Sequence, residues 1–165
     1  TIKNDFENEI LIKMANKISK VELLGDFLRK GQFEKLFNLV GAINQSDPKQ
    51  IYLKDAEEIY SQRYSDNKNI RNLYNVLICQ ILQRKVSNAE KTINLILKMD
   101  HSNGNAQLVK SIINIYLLDK KDARSSINNA KIFQKSEESS EIINIVEGLT
   151  YLLELKFNSA FRLIT

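Results

Sequence analysis

The sequence predicts an all-α chain, an array of antiparallel helix pairs without a strand of usable length. Three observations carry this. Apolar residues recur at i, i+3, i+4 and i+7 over long stretches, the mark of one buried helical face. Only five Gly and one Pro occur in 165 residues, too few for a series of β-hairpins. An alanine also returns at a near-constant interval, at positions 56, 89, 123 and 160, each time with an apolar residue four places later.

Each element follows from its own stretch. Apolar residues at 6, 10, 11, 14, 18, 21, 24, 27 and 28 predict helix from about 5 to 30, as one element or as two meeting near Asn16–Ser19. Gly31-Gln32 punctuates, and F-E-K-L-F-N-L-V-G-A-I (33–43) is the next helix. Ser46-Asp47-Pro48 ends it and opens another, with Asp or Ser as cap and Pro in the first turn. Helices follow at about 49–64, 70–84, 87–99, 104–118, 121–134, 138–155 and 157 to the end, about nine or ten in all. The breaks are short and polar, such as S-D-N-K-N (65–69) and H-S-N-G-N (101–105). No composition shift marks a boundary, so one domain over 1–165 is expected.

The alanines stand 33, 34 and 37 residues apart. Each falls in the first turn of the second helix of a predicted pair. Asp55, Asn88, Asp122 or Asn158 precedes it as the expected cap, and Tyr60, Ile93, Ile127 or Ile164 follows it. Two helices that cross closely need a small side chain where their backbones approach, and the residue one turn on fills the space beside it. A period near 34 is that of stacked helix-turn-helix units.

This pattern resembles the tetratricopeptide repeat (TPR). The last unit carries it best, with Gly148, Tyr151, Phe157, Ala160 and Ile164 at the family's small and large positions. Ser111, Ala123, Ile127 and Ala130 match in the unit before. In the unit before that, Val86, Ala89, Ile93, Ile96 and Leu97 match, although Leu77 occupies a small position. L-L-G-D-F-L-R-K-G-Q-F-E-K-L (23–36) also fits such a unit through Phe27, Gly31, Phe33 and Pro48, which makes 33–46 a second helix. The alanine spacing instead makes 33–46 the first helix of a pair with 49–64, and with three agreeing intervals it is the register followed. The resemblance covers about 50–165, leaves the first 50 residues without a settled register, and implies a short right-handed solenoid. The chain stops at F-R-L-I-T in mid-repeat, as expected of a piece of a longer protein.

No reaction is legible. Cys79 is alone within Y-N-V-L-I-C-Q-I-L and reads as a small buried apolar residue, so a cysteine-based metal site or disulfide framework is ruled out. His101, the one histidine, lies in a turn with no second histidine or cysteine to share a metal. Glu57/Glu58 and Glu137/Glu138 are neighbours that point in different directions on a helix, so they favour helix N-termini and form no carboxylate dyad. Phosphate-cradling and nucleophile-elbow motifs are absent. No catalytic, cofactor-binding or metal-binding residue is expected. The net charge of +4 is mild, with Lys and Arg interleaved among Asp and Glu, as on a solvated helical surface. No stretch nears the roughly 20 apolar residues of a membrane span; the compartment is left open, with the cytoplasm favoured only weakly.

The expected function is therefore that of a non-catalytic scaffold or adaptor that binds a protein or peptide. The resemblance places Arg71, Tyr74, Asn75 and Ile78 on the concave groove of one unit, beside Asn105, Ile112 and Tyr116 of the next. Such a groove suits an extended segment or amphipathic helix. Asn105 and Val109 stand where the family's carboxylate clamp has cations, which argues against that specialised role. Two alternatives carry over: binding of nucleic acid or an anionic surface through the scattered basic residues, and service as the interaction domain of a larger enzyme or a secretion or assembly complex.

Overall fold

A computed structural model describes residues 2–133 and 137–164, with the side chains of 10, 14 and 156–164 outside the described residues. All its elements among the described residues are helices: α1 (Ile2–Lys30), α2 (Phe33–Ser46), α3 (Tyr52–Asp66), α4 (Ile70–Leu82), α5 (Val86–Met99), α6 (Gly104–Tyr116), α7 (Lys120–Phe133) and α8 (Glu137–Ile164). The chain divides into two compact units, 1–84 and 85–165.

In the first unit α1 is one continuous helix, so no break occurs near Asn16–Ser19. Its C-terminal half buries Val21, Leu24 and Leu28, and it packs on α2, α3 and α4. Gly31 ends it in the left-handed region (φ 71°), with the Gln32 N–H donating to the Phe27 carbonyl at 2.9 Å. Glycine adopts this conformation without a Cβ penalty, which allows the chain to turn sharply into α2. The packed neighbour of α2 is α1, whereas α3 packs on α4 and α1. Helix 33–46 thus packs back on α1, where pairing with 49–64 was expected.

Asp47 also differs from its expected role. It follows α2 as C-cap, and its Oδ1 accepts from the Gln50 N–H at 3.4 Å, forming the turn that contains Pro48; α3 starts only at Tyr52. Two contacts fasten α3 to α1: the Tyr60 hydroxyl donates to the Ile18 carbonyl at 3.0 Å, and Arg63 meets Glu22 at 3.0 Å. Burial, reinforced by the Glu22 carboxylate, pushes the Tyr60 hydroxyl well above the ordinary tyrosine range, so it remains a donor.

In the second unit α6 is central, packed on by α5, α7 and α8. The Asn103 side chain caps it, accepting from the Ala106 N–H at 3.1 Å. Leu118 ends the connection in a left-handed conformation (φ 60°), and the Asp119 N–H donates back to Asn114 at 2.8 Å. Asp119, not Asp122, caps α7: its Oδ1 accepts from the Asp122 N–H at 3.1 Å, which leaves Asp122 in the first turn. There its charge still favours the positive helix end.

Ala56, Ala89 and Ala123 are all buried on α3, α5 and α7, as are Tyr60, Ile93 and Ile127 one turn later. The side chains of Phe157, Ala160 and Ile164 lie outside the described residues. α8 runs unbroken to Ile164, so the two helices expected at 138–155 and from 157 are one. Gly148 faces open space, where a Cβ would meet nothing within 4 Å. It is not at a close crossing.

Candidate interaction surfaces

The seven residues expected to line a groove have different fates. In the first unit Arg71 is exposed and grips Asp26 of α1 through both carboxylate oxygens, at 3.3 and 3.0 Å. Tyr74, Asn75 and Ile78 on α4 are only 1%, 7% and 2% exposed, respectively. Gly25 of α1 sits against the Asn75 side chain, with Asn75 Cα 3.4 Å from where a glycine Cβ would stand. These three therefore present no free surface. The apolar character that suggested a groove on α4 is used for packing.

In the second unit Asn105 accepts from the Ser139 hydroxyl at 3.0 Å, which ties the start of α6 to α8. Ile112 and Tyr116, one turn apart on α6, are 41% and 69% exposed. They remain available as apolar contact surface.

α8 also carries exposed apolar residues. α8 packs on α6 and α7, and buries Ser139, Ile143, Val146, Thr150 and Leu153. That set repeats at helical spacing and satisfies one face. A second set, Ile145, Leu149, Leu152 and Leu155, is exposed. A surface helix needs only one apolar stripe of about 100°, so α8 is apolar beyond what its own unit buries. The signal was present in the sequence: E-I-I-N-I-V-E-G-L-T-Y-L-L-E-L holds more large apolar residues than one face can use.

The polar flank of α8 is fixed to α7. Arg124 donates from Nε and an Nη to the two Glu154 oxygens at 3.0 and 2.7 Å, and its guanidinium lies 4.2 Å from the centre of the Tyr151 ring. The Glu154 and Tyr151 hydrogen bonds raise the Arg124 pKa above its ordinary value, so its charge is constant at any working pH. Lys131 pairs with Glu147.

A recess of about 390 Å³ lies in the first unit between the α2–α3 connection and the end of α4, lined by Asn44, Lys49, Gln50, Leu53, Ile81 and Arg84 among others. Gln50 and Arg84 both have left-handed backbones (φ 45° and 59°). It includes none of the residues expected to form the groove. His101 is exposed, its ring nitrogen 3.1 Å from the Leu97 carbonyl, and Cys79 is buried. No helix among the described residues is long and apolar enough to cross a membrane.

No family model matches this chain, and neither a curated protein nor a solved structure does.

Proposed function

We propose that the chain is a non-catalytic protein- or peptide-binding scaffold, a TPR-like array of helix pairs that receives its partner on the exposed apolar side of its second unit. The observation that carries this reading is the double-faced α8, with Ile145, Leu149 and Leu152 exposed at i, i+4 and i+7 beside its buried residues. Contiguous exposed apolar surface costs solubility and marks interaction sites. The exposed pair Ile112 and Tyr116 stands on α6, a helix packed against α8.

Support for the repeat architecture comes from the recurring small residue. Ala56, Ala89 and Ala123 are each buried, and α7, which carries Ala123, packs on α6, the helix before it, as the predicted pair requires. Stacked helix pairs bury a core between neighbours and leave an extended face for binding. The nucleic-acid alternative gains no support from the charges, since Lys17, Arg63, Arg71, Arg124 and Lys131 are each paired with a carboxylate.

The test is affinity capture with the wild-type chain and with a fourfold variant, Ile112→Ser/Tyr116→Ser/Leu149→Ser/Leu152→Ser. Circular dichroism should show the variant to be folded, and each captured protein is then purified and titrated directly. A partner whose Kd weakens by about tenfold or more in the variant supports the reading. Identical capture with unchanged Kd contradicts it.

A further inference from the structure

The exposed stripe of α8 has a charged end. Glu137, Glu141, Ile145, Gly148, Leu152 and Leu155 follow one another at spacings of four, four, three, four and three residues, the period of the helix itself. All six are exposed, so they form one straight stripe along α8 with two carboxylates at its N-terminal end and apolar groups along the rest. No cation among the described residues pairs with Glu137 or Glu141. Glu147 and Glu154, on the flank facing α7, are both paired. Within the stripe Gly148 leaves a gap open to solvent, which lets another helix approach closely between Ile145 and Leu152.

Resting on the function proposed above, we infer that the α8 stripe docks a basic amphipathic helix of a partner protein. The partner's apolar face lies over Ile145, Gly148, Leu152 and Leu155, and Lys or Arg at one end of that face meets Glu137 and Glu141. Charge complementarity selects this occupant. A second copy of α8 does not supply it: laid parallel, it sets carboxylates against carboxylates, and laid antiparallel it sets them against Leu152 and Leu155. An anionic lipid surface attracts basic segments and repels these carboxylates. The apolar contact supplies affinity, while the two carboxylates fix direction and partner choice.

The experiment is fluorescence anisotropy of the full chain with a labelled helical peptide of about 18 residues, some five turns. The peptide carries a Leu stripe continued at one end by three Lys, and is made in both sequence directions. A matched peptide replaces the Lys with Glu. The expected result is about tenfold tighter binding of the Lys peptide in one direction at low salt, an advantage that shrinks as salt is raised. Glu137→Lys/Glu141→Lys reverses the preference, and Leu152→Ser weakens both peptides. Equal binding of Lys and Glu peptides, or a preference that survives the double reversal, overturns the charge assignment; if Leu152→Ser still weakens both, the apolar binding face stands. Absence of binding by every peptide, self-association in sedimentation abolished by Leu152→Ser, or adsorption to anionic phospholipid vesicles also overturns the inference. The capture experiment then decides the broader function separately.

Discussion

Gly25 of α1 lies against Asn75 of α4 so closely that a Cβ at position 25 would run into the Asn75 side-chain oxygen. That oxygen is buried and accepts no hydrogen bond. The close approach brings the C-terminal half of α1 onto α4, which also packs on α3, so that the apolar residues of α4 are interior.

This contact sets two opposing effects against each other. Gly25→Ala gains about 1 kcal/mol of helix propensity, but overpacking a filled contact costs about 1–3 kcal/mol. Gly25→Ala alone should therefore lower the urea midpoint. In an Asn75→Ala background, with the obstacle gone, the same change should raise it. Chemical denaturation of the four proteins measures the coupling, and a stabilising Gly25→Ala in the wild-type background would refute the contact.

A second prediction concerns the recurring alanine. Ala123 is fully buried on α7, which packs on both α6 and α8. Ala123→Leu should overpack this site and cost about 1–3 kcal/mol in thermal or chemical unfolding. Unchanged stability would mean that no close crossing occurs there.

Much of this was legible in the sequence. Helical period and polar breaks located most helices, and the burial of Ala56, Ala89 and Ala123 followed from their spacing. The misplaced features depend on tertiary contacts. Tyr74, Asn75 and Ile78 have the chemistry of a groove, but α4 packs on both α1 and α3 and these residues are interior. Asp47 and Asp122 are good capping residues, but a turn at Gln50 and the nearer Asp119 took those positions. The second face of α8 was hidden because periodicity reports that a face is apolar, not whether a neighbour covers it.

A third prediction uses pH. The Lys17 ammonium, 2.9 Å from Asp47, donates to its carboxylate and holds its pKa below the ordinary aspartate value. A folded-state pKa below the unfolded one contributes stability that is fully present above about pH 4 and lost as pH falls through the folded value. The pair is a surface pair, so its effect is small. Lys17→Met should lower the urea midpoint slightly at pH 7, and the gap should close as pH falls through the lowered folded-state value. A gap that widens on acidification would show that the pair is not what Lys17 contributes.

A fourth prediction isolates the Tyr60 hydroxyl, which donates to Ile18 across α1 and α3. Tyr60→Phe removes this donor while keeping the ring in place. It should cost about 0.5–1.5 kcal/mol, the net worth of such a hydrogen bond. The loss should be independent of pH from 5 to 9, because burial keeps the hydroxyl protonated throughout.

The central claim is that the outer face of α8 meets a partner. It is tested most directly by placing a photoreactive amino acid at Leu152 and, as control, at the exposed polar position Asn94 of α5, then irradiating extracts of cells that make the protein. The account predicts a discrete protein adduct from position 152 that Leu149→Ser abolishes, and none from position 94. Equal adducts from both positions, or none from 152 while adducts form at 94, would contradict it.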